Sequence, residues 1–275
     1  SWASAGPAAI SAAMASAVKR RFMMWSFPMN PQATTLDQPL LNSNLEAMFE
    51  PMPDTSSDRI LVINPNSTEA VTRGIDAAME PLRITGGPAI ECVTLKDGPP
   101  GIESQAHAEQ VVPLVGAMVK KRDNDCSAFV IACYSDPGLH AARELTTKPV
   151  LGIAECGILT ALTLGQRFGV ISILRKSIPR HLRYVGQMGL TDRMAGDRAI
   201  GLGVVELSDE TRTFSRMAEV AAELRDEDGA DVLVMGCAGM ARYRDRLQRH
   251  VGLPVVEPSQ AAVSMAIGRS RLAWA

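Results

Sequence analysis

Two cysteines sit in matching settings: Cys133 in Ala132-Cys133-Tyr134-Ser135-Asp136-Pro137-Gly138, and Cys237 in Gly236-Cys237-Ala238-Gly239-Met240. Each ends an apolar run, which places each thiol at the tip of a buried strand where a loop opens toward a helix. Amides exposed at a helix N-terminus favour a thiolate and can cradle an anion. Two such thiols facing one cleft suit proton transfer on both faces of a single carbon. A cysteine–histidine nucleophile pair has no local support in the sequence around either one.

The surroundings of the two cysteines read as copies of one unit. Cys133 and Cys237 are 104 residues apart, Pro149 and Pro254 are 105 apart, and Arg59 and Arg167, which open similar apolar runs, are 108 apart. A nearly constant offset implies duplicated α/β halves. Candidate strands cover 59–64, 90–95, 127–133, 150–153, 168–173, 201–205, 231–236 and 254–257. Helix-like segments cover 67–82, 104–121, 137–146, 155–165, 176–188, 211–228, 239–250 and 259–271. Strict alternation of this kind predicts parallel sheets covered by helices on both faces, with ligands bound beyond the carboxyl ends of the strands. The expected organisation is a first α/β domain over 59–153, completed by the C-terminal segment 254–275, and a second over 154–253, with the active site between two pseudo-symmetric halves.

Residues 1–57 differ from the rest. They carry no acid before Asp37, are rich in Ala and Ser at the start, and lose all periodicity later. They read as a disordered or targeting leader, a mitochondrial transit peptide being one form of it. The whole chain has 275 residues, 46% of them hydrophobic, and a net charge of −2. That is ample for a large core, and the charge gives no footprint for nucleic acid or an anionic membrane. No apolar run is long enough for a membrane span. The five cysteines show no CxxC spacing and only four histidines accompany them, so neither a disulfide framework nor a structural metal site is signalled. Free thiols imply a reducing, cytoplasmic setting. The expected partner is a small molecule, and a closed homo-oligomer is the default from symmetry statistics. Cys92, Cys126 and Cys156 read as small buried hydrophobes.

Other loops have residues that can serve these thiols. Asn64-Pro65-Asn66-Ser67-Thr68 ends the first strand and opens a helix, where Ser67 or Thr68 can cap and the Asn side chains can present amides to a ligand. Asp136 can cap a helix after Cys133, and Ala238 and Gly239 leave room for a ligand to approach the backbone beside Cys237.

These motifs, together with Gly152-Ile153-Ala154-Glu155, resemble the hydantoin racemase branch of the aspartate/glutamate racemase superfamily, over about residues 59 to 268. The resemblance implies an Asp/Glu racemase-like fold and cofactor-independent racemisation of 5-substituted hydantoins or allantoin-like ureides by two bases. One cysteine, as thiolate, takes the proton from the ring carbon while the other, as thiol, reprotonates the opposite face. Backbone amides at Ser135, Ala238 or Gly239 would hold the enolate oxygen, Asn66 and Thr68 would orient the ureide, and Ser135 and Asp136 would stand beside Cys133. Two departures bear on the substrate: the strand at 168–173 ends in Ser172-Ile173-Leu174 where the family commonly has two threonines, and Glu257-Pro258-Ser259 stands where an Asp-Gly pair is more typical. Two alternatives stay open. One is a maleate-isomerase-like or arylmalonate-decarboxylase-like member using a single cysteine as nucleophile or acid; the other is a non-catalytic thiol redox or binding protein.

Overall fold

In the computed structural model, which describes residues 58–274, the first strand β1 (Arg59–Asn64) buries its last five residues. Four consecutive aliphatic side chains leave it no polar face, so it has to lie inside a sheet covered on both sides. It pairs in parallel with β2 (Ala89–Thr94) and with β3 (Ala128–Ile131), and β3 pairs with β4 (Val150–Gly152). The second half repeats the arrangement. There β5 (Phe168–Ser172) lies between β6 (Met194–Ala199) and β7 (Val232–Met235), and β8 (Val255–Val256) lies outside β7. Both four-stranded sheets thus run in the order second, first, third, fourth strand, the topological counterpart of the repeat in the sequence. The leader expected over residues 1–57 lies outside the described residues.

The strands alternate with helices α1 (Glu69–Ala78), α2 (Gln105–Arg122), α3 (Leu139–Arg143), α4 (Ile153–Ala161), α5 (Ile178–Gln187), α6 (Glu210–Asp226), α7 (Arg244–Val251) and α8 (Pro258–Arg271). Alternation along β1 divides the core. Ile60 and Val62 face a large cluster that includes Ile75 of α1, Ile158 of α4 and Ala262 of α8, and that runs on into Phe168, Val170 and Val234 of the second sheet. Leu61 and Ile63 point the other way, onto Val115 and Val119 of α2 and Leu139 and Ala142 of α3. Each such fully buried aliphatic side chain contributes about 1.5–3 kcal/mol relative to exposure. β8, within the segment expected to complete the first half, pairs with β7 of the second sheet, whereas α8 after it packs on α4, β3 and β1. Among the described residues no helix is long and apolar enough to cross a membrane.

Two expected elements are corrected. The sixth strand is Met194–Ala199, not 201–205. It lies at the edge of its sheet with only Met194 fully buried, so it needs no apolar run. The run at 201–205 is apolar for another reason: it is a loop that folds inward and buries Leu202 and Val204. The helix expected at 239–250 opens as a 3-10 turn, Ala238–Tyr243, before α7 begins.

The loop after β3 is locked by one carboxylate. Asp136, at a left-handed φ of 42°, accepts hydrogen bonds from the amides of Ala154 (2.9 Å) and Glu155 (2.8 Å) in the first turn of α4, and from the Tyr184 hydroxyl of α5 (2.7 Å). A negative group there complements the helix dipole as well as two otherwise unpaired donors. The space for it exists because residue 152 is glycine: a Cβ would fall 2.2 Å from the Asp136 carboxyl. The corresponding helix of the second half, α8, is capped instead by its own Glu257, whose side chain accepts from the amides of Ser259 (3.1 Å) and Gln260 (2.7 Å). Gly152→Ala is therefore expected to lower the melting temperature by about 5 °C or more, through overpacking of about 2 kcal/mol. Gly268→Ala in α8, where the added methyl meets open space, is expected to leave it unchanged or raise it by about 1–2 °C. Calorimetric melts of the two variants check the contrast.

Candidate active site

Both cysteines leave their sheets at equivalent points. The residue before each one donates its amide to the central strand: Ala132 to the Ile63 carbonyl (2.8 Å) and Gly236 to the Ile171 carbonyl (2.9 Å). The chain then turns away, so the thiols stand at the carboxyl ends of β3 and β7. Gly236 is required at this step, since a Cβ would approach the Ile171 carbonyl oxygen to 2.7 Å.

Cys133 and Cys237 line a single cavity of about 30 Å³, together with Asn66, Ser135, Ala238 and Gly239. Six of the eight site residues expected from the sequence thus line the same cavity. The other two do not. Thr68 gives its hydroxyl to the Pro100 carbonyl (2.7 Å), and both carboxylate oxygens of Asp136 are taken by α4 and Tyr184. Asn66 is buried; its Oδ1 accepts from Asn64 Nδ2 (3.1 Å) and the Thr68 amide (3.0 Å). That fixes the amide plane and leaves the Nδ2 donor for a ligand. A volume of 30 Å³ holds about one water, so any larger ligand must displace the side chains that close it. Val204 on the loop after β6 is one of these; its amide donates to Glu103 Oε1 (3.0 Å) from the loop after β2. A larger groove of about 830 Å³ along α7, β8 and α8 contains neither cysteine nor histidine.

Sequence reasoning missed the residues supplied by α5 and by the N-cap residue before it, Ser177. Ser177, Arg180 and His181 face the same cavity, joined by Tyr134. Arg180 donates from Nε to Ser135 Oγ (2.8 Å). The His181 Nδ1 donates to Asp197 Oδ2 on β6 (2.8 Å) and lies 3.0 Å from Ser172 Oγ, which itself donates to Asp197 Oδ1. The imidazole edge meets the Tyr134 ring at 5.2 Å and 83°. Ser172, at the position where a threonine contact was expected, is turned into this network, and Ile173 faces the cavity in its place. On this side of the cavity the polar groups come from α5 and its N-cap, and the end of β5 presents Ile173. The signal in the sequence is the spacing itself: Ser177, Arg180, His181 and Tyr184 fall three to four apart on one helical face.

Electrostatics at the thiols oppose one another. Burial pushes Cys133 up to about 12, charge on Cys237 would add to this, and the Arg180 guanidinium and the Ser135 amide pull it back. Burial likewise pushes Cys237 up to about 11 against the pull of the Gly239 amide. Each sulfur is thus served by the amide two residues further along, a second trace of the duplication. Burial also lifts Asp136 to about 6. Of the remaining cysteines, Cys126 and Cys156 are buried and Cys92 half-buried. Among the described residues no group of histidine, cysteine and carboxylate side chains could hold a metal ion.

Comparison with known proteins identifies the family. The sequence profile of the Asp/Glu/hydantoin racemase family matches residues 60–266. A hydantoin racemase of Paenarthrobacter aurescens is 38% identical over 212 residues, covering 76% of this chain and 89% of its own. One from Pseudomonas sp. (strain NS671) is 37% identical over 210 residues, covering 76% and 84%. Among solved structures, an allantoin racemase from Klebsiella pneumoniae superimposes with a TM-score of 0.76 at 32% identity, covering 80% of this chain and 90% of that one.

With both thiols raised, alkylation of the native protein by iodoacetamide is expected to be slow at pH 7.5. It should accelerate about tenfold per pH unit toward pH 11, because only the thiolate reacts. Peptide mass spectrometry reads each site. Rapid labelling of either Cys133 or Cys237 at neutral pH would contradict the burial argument.

Proposed function

The chain belongs to the Asp/Glu/hydantoin racemase family, and from that premise we propose that it racemises 5-substituted hydantoins or allantoin-like ureides, with Cys133 and Cys237 as the two bases. What supports the reading most is that the thiols line one cavity from equivalent ends of two sheets of identical strand order. One sulfur, as thiolate, removes the proton from the carbon between a ring carbonyl and a urea nitrogen. The charge passes to the carbonyl oxygen as an enolate, and the opposite thiol delivers a proton to the other face. The roles exchange for the antipode.

The energetics set what the rest of the site has to supply. A thiol at about 11 is ionised to about one part in a thousand at pH 8, a penalty of roughly 4 kcal/mol on the reactive form. Donors aimed at the enolate oxygen contribute about 3 kcal/mol each. We assign that part to the Asn66 side-chain amide and the Ala238 backbone amide on the cavity lining, because the Ser135 and Gly239 amides are directed at the two sulfurs. As proposed, the reaction needs only side chains and backbone, with no cofactor. A cytoplasmic setting and a homo-oligomeric state complete the proposal; they rest on composition and symmetry statistics.

Incubation of an enantiopure 5-alkyl hydantoin or allantoin in heavy water should show decay of circular dichroism together with incorporation of one deuterium and no change in the carbon skeleton. Cys133→Ser and Cys237→Ser are each expected to lower kcat by at least about a thousandfold. Normal racemisation by either variant would exclude two-base chemistry. Release of carbon dioxide would assign the protein to a decarboxylating reaction instead.

A further inference from the structure

We propose that the substituent on the reacting carbon of the substrate ends in a carboxylate, and that Arg180 binds it. The inference rests on the racemase reading of the same cavity and narrows its substrate class.

Arg180 is only 9% exposed, and its one hydrogen bond is from Nε to Ser135 Oγ. Other partly buried arginines of this protein are paired: Arg122 with Glu91, Arg143 with Glu155, Arg198 with Asp228. Arg180 has no such ion pair among the described residues. The nearest acids are already engaged, Asp136 by three donors and Asp197 by His181 and Ser172. Burial disfavours the cation most and Arg183, one turn away, adds like charge; the Cys133 sulfur when ionised and the already engaged Asp197 favour it without forming an ion pair. A buried guanidinium of this kind calls for an anion.

The surrounding groups point the same way. Tyr134 Oη and Ser177 Oγ are buried without a hydrogen-bond partner, and both residues line the cavity beside Arg180. This wall therefore offers the remaining N–H groups of the guanidinium, beyond the Nε bond to Ser135, and two hydroxyls without a partner. A carboxylate brings about four acceptor sites and no donor, and matches the guanidinium fork. An alkyl group brings none, and the ureido group of allantoin brings more N–H donors than acceptors to a wall already in surplus of donors. Space is provided too. Tyr134, Ser135, Arg180 and His181 separate the cysteine cavity from an outer cleft of about 220 Å³, which Arg183 also lines.

Racemisation and binding of 5-(2-carboxyethyl)hydantoin, 5-isobutylhydantoin and allantoin by the wild-type protein, Arg180→Gln and Arg180→Lys test the assignment. Wild type is expected to favour the carboxyethyl compound at least tenfold in kcat/KM. In Arg180→Gln the ratio of acidic to neutral substrate should fall about a hundredfold, the scale for removing one partner of a buried charge pair. Arg180→Lys should keep most of the preference, which guards against simple misfolding. An unchanged ratio in Arg180→Gln, or a wild-type preference for the isobutyl compound or allantoin, overturns the proposal and leaves the racemase reading standing. Calorimetric binding separates the converse case: carboxylate-dependent affinity that vanishes in Arg180→Gln, without turnover of any hydantoin, upholds the anion site and removes the racemase reading.

Discussion

The Asp136 carboxylate joins three parts of this protein that would otherwise be independent. It belongs to the loop that carries Cys133, it closes the open amides of α4, and it receives the Tyr184 hydroxyl from α5 in the other half. Its backbone is held in the left-handed region, a conformation that costs a non-glycine residue energy and persists only where surrounding contacts over-determine it. The three hydrogen bonds provide that determination. Because α5 is tied at Tyr184 and again through Arg180 to Ser135, the helix that furnishes the polar wall is registered directly against the loop that furnishes the thiol. The position of one sulfur and the composition of the polar wall beside it are therefore set by the same contacts.

The same burial that fixes these groups works against their ionisation. Strand ends inside two covered sheets are dry places, and the thiols there hold their protons more firmly than free cysteine does. Amides from the following turns and the nearby guanidinium recover part of the difference. On the proposed reaction dryness also has a use: a hydrogen bond from Asn66 to a developing oxyanion would be stronger where water is excluded. Such a site would exchange ease of forming its base for strength in holding the charge that the base creates.

Much of this was legible in the sequence. The runs at Arg59–Asn64, Phe168–Ser172 and Val232–Met235 are strands because they are buried on both faces and can be nothing but apolar, and the spacing of cysteines and prolines disclosed the duplication before any coordinates. Two kinds of feature were not legible. Met194–Ala199 carries Gly, Asp and Arg within a strand, which only its edge position permits. The face of α5 misled in the opposite sense. Ser177, Arg180 and His181 have the look of a solvated surface, yet they point inward, while Leu182 is 50% exposed. Hydrophobic patterning finds faces that meet a core; it reads a face that meets a polar cavity as one that meets water. Thr68 and Asp136 illustrate a related limit, because a side chain suited to a ligand is equally suited to a backbone, and only the fold decides which it finds.

The two sulfurs have unequal neighbours, an arginine beside Cys133 and, around Cys237, the Gly239 amide with the carboxylates of Glu103 and Glu257. For the interconversion of mirror-image substrates the equilibrium constant is unity whatever the protein does. An asymmetric pair of bases can give the two antipodes different maximal velocities and different half-saturating concentrations, but the Haldane relation forces the quotients to be equal. If the two sulfurs are the bases we propose, the arginine would bias how tightly each hand is held and how fast it leaves, without favouring either hand at the end.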